Sequence, residues 1–365
     1  MIMRKVYNSK KLFIFSCALL FASSVAAQSG VEELIKSGPA DATKLVQAYL
    51  NPFFKGIGVG LNSGWHNTAN VKNVGRFELR LGATGVSVPQ SDKMYDVTKL
   101  GLSNTLRPSN TNNVMSPTFA GSKSDGPSMD IYDSNNNKLE SFNLPGGTGF
   151  SIVPVPQLQG AIGLPKGIEL DLRATPTINL PNNSGSVGMI GGGIKVEVLQ
   201  LFTGKTAKKI LPIDLAVAAG YTQINYKLDL DVKPSGNAKA GSGQSSDFTN
   251  QKIEATLSGL NLEAILSKKL LFFTPFISVG YNGAKTKADL KGNYPVTTGF
   301  DPTPVVGGPT YTTYANPVSI NQKNISGLRT NLGFQLKLAF FRMYASYSIA
   351  EYNAFNAGIG FGIGN

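Results

Sequence analysis

The residue types that carry most enzyme and metal chemistry are scarce in this chain. One histidine, His66, and one cysteine, Cys17, occur in 365 residues. No His/Cys metal cluster and no disulfide framework can be built from them. A hydrolase would need His66 beside a serine or aspartate in space. A lone imidazole among many polar side chains is more often a structural hydrogen-bonding group, so the chain reads as a non-enzyme with no catalytic residue. Gly191-Gly192-Gly193 and Gly146-Gly147 lack the lysine-containing phosphate-loop spacing and a following helix. No cofactor is therefore expected. The informative polar residues are charges that share one phase of an alternating pattern. Arg76, Arg80, Arg173, Lys195, Arg329 and Lys337 stand against Glu78, Glu169, Asp171, Glu197, Asp214 and Glu254. A pore that selects by charge shows a ring of one sign. Six charges of each sign instead predict paired groups bracing an interior, and these twelve are expected to face a lumen.

The elements that must position them read in period two. Phe77, Leu79 and Leu81 oppose Glu78 and Arg80. Ile168, Leu170 and Leu172 oppose Glu169, Asp171 and Arg173, and Leu332, Phe334, Leu336 and Leu338 oppose Asn331, Gln335 and Lys337. Such spacing puts alternate side chains on opposite faces of a sheet. The runs are about ten residues or longer, the length of a tilted membrane strand, and aromatics recur near their ends, as in the girdles of membrane barrels. Charged residues are only 15% of the chain and Gly is 41 of 365, below and above ordinary usage respectively. Only a closed barrel lets a sheet span lipid, because it leaves no unpaired backbone edge.

Residues 1–27 read as a secretory signal: Arg4, Lys5, Lys10 and Lys11, an apolar run from Leu12 to Val25, and Ala26-Ala27 before the cut. The context of Cys17 suits a lipoprotein anchor poorly. Losing the four leader cations takes the formal charge from +12 to +8, too modest for a nucleic-acid footprint. Residues 28–54 carry one short helix, capped by Asp41 and closed at Pro52, which we expect to enter the periplasmic mouth as a plug.

The barrel is expected over 55–365. Its strands are 56–67, 76–84, 150–162, 168–178, 187–202, 212–231, 251–266, 272–288, 325–340, 342–350 and 355–364. Parity asks for a twelfth, placed at Met94–Leu100, so the count is about 12 within a range of 10–14. Bulges are expected in 212–231 and 251–266, where the apolar phase changes. The segments 101–149, 233–250 and 291–322 are long outer loops, and Asp130–Lys138 reads as a small hairpin.

The segments Tyr49-Leu50-Asn51-Pro52, Gly60-Leu61-Asn62-Ser63-Gly64-Trp65, Gly163-Leu164-Pro165-Lys166-Gly167 and Leu211-Pro212-Ile213-Asp214-Leu215 resemble an uncharacterised outer-membrane β-barrel family of Bacteroidota. More distantly, the chain is similar to the long-chain fatty acid transporter barrels, which have an N-terminal plug and fourteen strands. Together these observations predict an all-β, antiparallel transmembrane barrel in the outer membrane, in contact with lipid and lipopolysaccharide and not with nucleic acid. The expected activity is passive passage or binding of a small, apolar solute. The alternatives are a closed structural or surface-interaction barrel and a secreted soluble β-protein.

Overall fold

The computed structural model describes residues 34–35, 37–198, 213–234, 238–301, 303 and 307–362. The expected signal peptide with Cys17, and the connection expected near 203–210, lie outside them. Ten long strands form the wall: β1 (Phe77–Ser87), β2 (Ile152–Leu164), β3 (Ile168–Asn179), β4 (Ser186–Glu197), β5 (Asp214–Asp229), β6 (Lys252–Ser267), β7 (Phe273–Lys291), β8 (Val318–Leu338), β9 (Phe341–Ile349) and β10 (Ala354–Gly362). Each pairs antiparallel with its neighbours in sequence, and β1 pairs with both β10 and β2, which closes the barrel. The alternation is realised in space. Leu170, Leu172, Leu332 and Phe334 point outward and are exposed, while Glu169, Asp171, Arg173 and Arg329 are buried inside.

The strand number is ten, not about twelve, and the two losses share a physical reason. Residues expected as the first strand belong to helix α1 (Pro39–Asn62), which runs straight through Pro52. A segment inside a closed barrel finds no free edge to pair with, so it must satisfy its backbone within itself. Close walls then outweigh the poor helix propensity of Pro and Gly. A Cβ on Gly56 would lie 2.6 Å from Val153, one on Gly58 2.5 Å from Ala284, and one on Gly60 2.3 Å from Val155. The other loss is Met94–Leu100. Met94–Asp96 pairs with Met115–Pro117 outside the barrel, and Val97–Leu100 is a 3-10 turn.

The two ends of the barrel differ. At one end the connections among the described residues are short, such as Pro165–Gly167 between β2's Leu164 and β3's Ile168. At the other lie the long segments. Residues 88–151 form a cap of short ladders, in which Ser128–Tyr132 and Lys138–Asn143 make the expected hairpin. Asn293–Asp301 pairs antiparallel with Gly308–Ala315 as a second ladder.

Helix α1 starts at this long-loop end. Tyr49 Oη donates to the Gly146 carbonyl at 2.9 Å, and Asp41 accepts from the Ser103 amide at 2.9 Å. The chain then descends the lumen and leaves at the short-turn end, where the Gly75 amide donates to the Gly163 carbonyl at 3.0 Å. The plug therefore extends over residues 39–75, and its helix lies at the mouth opposite to the one expected. The sheet begins at Phe77, not at residue 55.

The bulges expected in β5 and β6 are absent, because their register runs unbroken from Asp214↔Ser267 to Asp229↔Lys252. The surroundings change instead of the phase. Toward the long-loop end the inner face packs on α1, so Ile224, Ile253 and Ala255 turn inward, and the outer face becomes polar.

Candidate functional site: the plugged lumen and its mouth

Three arginines from three strands receive the C-terminal end of α1. Arg173 on β3 donates to the carbonyls of Leu61 and Ser63, both at 2.8 Å, and to Gln159 Oε1 at 3.0 Å. Arg329 on β8 donates to the Asn62 carbonyl at 2.6 Å, and Arg80 on β1 to the Trp65 carbonyl at 3.0 Å. The last carbonyls of a helix have no partner within it and carry its negative partial charge. Cations on the wall satisfy both needs. Trp65 then fits a notch in the wall: a Cβ on Gly220 or Gly193 would lie 2.5 or 2.8 Å from the indole. The Arg173 guanidinium covers the ring at 3.9 Å, a desolvated cation–π contact.

Below Trp65, His66 bridges two carboxylates. Its Nδ1 is 2.9 Å from Glu263 Oε1 and its Nε2 3.2 Å from Asp171 Oδ2. Only the doubly protonated ring can donate to both. Asp171 also pairs with Arg80 at 2.9 Å, and Glu263 accepts from Ser278 at 2.8 Å. Nearer the short-turn end, Lys72 of the plug reaches Glu78 and Glu169, each at 3.1 Å. Lys195 pairs with Glu169 at 3.0 Å and donates to the carbonyls of Thr68 and Asn70.

Ten of the twelve residues expected to face the lumen lie on the inner side: Glu78, Arg80, Glu169, Asp171, Arg173, Lys195, Glu197, Asp214 and Arg329 are buried there, and Lys337 lines the short-turn mouth. Two do not. Arg76 precedes β1 in a turn in which its amide donates to the Asn73 carbonyl, and it is exposed at the rim. Glu254 lies on the outer face of β6, paired with Lys252 at 2.7 Å, because the phase change assumed there does not occur. The charges pair both wall to wall, as Arg80 with Asp171 and Lys195 with Glu169, and with the plug through His66 and Lys72. Glu263 and Arg342 were legible in the alternation, being in phase with Asn261 and Tyr344. Lys72 was not, since nothing local says that its segment lies inside a barrel.

At the long-loop mouth, one face of α1 borders an open cavity. Lys44, Gln47, Asn51 and Lys55, spaced by three or four residues, line a cavity of about 510 Å³ with Tyr95, Lys99 and Gln322. Lys55 anchors this face, at 3.2 Å from Asp92 in the cap and 2.9 Å from Glu351 in the β9–β10 loop. Burial opposes ionisation of Asp92. The hydrogen bonds from Tyr352 and Lys55 outweigh it and hold the carboxyl below its ordinary value of 3.8. Burial, with Asp92 alongside, pushes the Tyr352 hydroxyl well up. A depressed folded-state value means that stability is present above 3.8 and is lost as pH falls below it. Protection of the amides in the cap and around Lys55 of α1, relative to their intrinsic exchange, should therefore fall below that pH, and Asp92→Asn should flatten the dependence.

Fold and interior together define a class: a closed ten-stranded antiparallel barrel, apolar outside and stoppered by its own N-terminal segment. The chain belongs to a family of unknown function (DUF6588), whose profile matches residues 3–363. No curated protein matches it. Among solved structures it is similar to Ail, the attachment invasion locus protein of Yersinia pestis, at 9% identity and a TM-score of 0.27, over 80% of this chain and 100% of that one. The outer membrane protease OmpT from Escherichia coli gives 10% and 0.31, over 83% and 100%. The outer membrane transporter YddB from Escherichia coli gives 11% and 0.27, over 78% and 41%. Likeness this slight carries nothing about site or activity.

Proposed function

We propose that the protein is an outer-membrane barrel, exported by its leader, whose lumen is closed by residues 39–75 and whose long-loop mouth binds a small polar solute. The observation that carries this reading is the unbroken path of the plug from the cap to the short-turn end, fixed by arginine, histidine and lysine contacts on the way. The outward row of Leu, Ile, Val and Phe on the strands supports a lipid surrounding. No helix among the described residues is long and apolar enough to cross a membrane.

The amides and lysines around the mouth cavity favour a hydrogen-bonding solute over the apolar one that the sequence suggested. Its volume is in the range of small-molecule sites. The apolar crevice between Leu50, Phe54 and Ile320 holds only about 40 Å³. A catalytic role for His66 is disfavoured because both ring nitrogens are already engaged and the ring is buried.

In planar bilayers the intact protein should give no conductance steps. Deleting residues 28–54 should leave it silent, because the closing segment, 56–75, remains. Deleting 28–75 should open it. Steps from the intact protein would overturn the closed-lumen reading.

A further inference from the structure

The outer wall carries a cluster of lysines placed by one irregularity. Along β8 the outward residues are even-numbered from Leu338 to Ser326. The register with β7 then shifts between Ala284 and Lys285, so that Ala284 faces Ile325 but Lys285 faces Lys323. Asn324 and Ile325 are buried at the shift, and beyond it the odd-numbered residues point out. Without this bulge Lys323 would point into the lumen. With it, two lysines stand directly opposite each other on neighbouring strands, both exposed, and Lys287 follows on the same face. Like charges in that position are destabilising, so the pair needs another reason to exist.

Height supplies one. Toward the short-turn end, past Gly283, the outer face of β7 is Tyr281, Val279 and Ile277, and Leu328 faces Tyr281 on β8. Tyr281 Oη is 2.9 Å from Ser326 Oγ, so the aromatic of an interfacial girdle sits two outward positions below Lys285. The hydroxyl residues Ser258 and Thr256 flank them on β6, opposite Lys285 and Lys287. Among the described residues no carboxylate forms an ion pair with Lys285, Lys287 or Lys323. The nearest on this face are taken: Asp289 pairs with Lys291 at 3.4 Å and Glu254 with Lys252 at 2.7 Å. Three cations and several hydroxyls at the upper edge of an apolar wall match a phosphorylated lipid headgroup, whose acyl chains would lie on the leucines below.

We infer that Lys285, Lys287 and Lys323 form a binding site for the phosphorylated glycolipid headgroup of the outer leaflet. This rests on the reading of the outer face as lipid-embedded. The test uses the full mature chain in detergent, with diphosphorylated lipid A and its dephosphorylated form as probes and bound lipid counted by native mass spectrometry. Wild type should retain diphosphorylated lipid A. K285Q/K323Q should weaken retention on the order of 30-fold, at about 1 kcal/mol per lysine near an anionic surface. K227Q, a lysine of the polar outer face paired with Asp229 at 3.4 Å, should change nothing. Heat-dependent gel mobility checks that each variant is folded, and K323Q alone serves if the double variant is not.

Equal retention by K285Q/K323Q, equal retention of the dephosphorylated lipid, or displacement by excess inorganic phosphate alone would each overturn the proposal. Failure of the lipid-embedded reading looks different: wild type would then not insert into phospholipid vesicles at all.

Discussion

Replacing Arg173 by leucine should cost about 3–5 kcal/mol, the range for removing one member of a buried charged network. The side chain is fully buried, gives three hydrogen bonds and covers Trp65. Leucine would leave the Leu61 and Ser63 carbonyls without these donors at the end of α1, and each stranded acceptor carries a desolvation cost. Trp65 is the one tryptophan of the chain, so its fluorescence reports the plug directly. Urea unfolding in lipid vesicles should show an early transition of Trp65 in Arg173→Leu, with barrel loss shifted less. Arg173→Lys keeps the charge but not the planar fork that reaches two carbonyls at once, and should fall between. A loss below about 1 kcal/mol for Arg173→Leu, the ordinary net worth of one hydrogen bond, would mean that the arginine cage does not hold the plug.

Phe334→Arg should cost roughly 2–4 kcal/mol, the price of a cation on the lipid face near the midplane. Phe334 lies outward near the middle of the apolar stretch from Leu328 to Leu338, beside Phe273 at 5.6 Å. Asn225→Arg, on the polar outer part of β5, should be near neutral. Asn331, on the opposite face, is no tolerant control: its amide donates to Ser278 at 2.6 Å and its carbonyl accepts from Ser348 at 2.5 Å, so an arginine there would break a packed network. Equilibrium unfolding of both variants in vesicles measures the difference, and equal costs would contradict the assignment of Phe334 to lipid.

The wall is legible in the alternation alone. A two-residue period is a property of the extended backbone, so each pair such as Leu170 and Asp171 declares its faces without reference to the rest of the chain. Each of the ten barrel strands overlaps a segment that alternation marked, though β8 starts at Val318, inside the loop expected over 291–322, and ten of the twelve expected inward charges face inward. What fills the barrel depends instead on contacts between distant segments. Ile57, Val59 and Leu61 alternate with glycines as a strand would, and Pro52 marks a local stop. A lumen with no free edge turns the same residues into one continuous helix. Glu254 was misplaced for a related reason: its strand outruns the apolar belt, and beyond it the inner face packs on α1 while the outer face turns polar. The bulge that brings Lys323 out beside Lys285 is likewise invisible locally, because register belongs to a pair of strands and not to either one. Period is local and legible; enclosure and register are relations between distant segments, and they set the plug, its cage and the mouth.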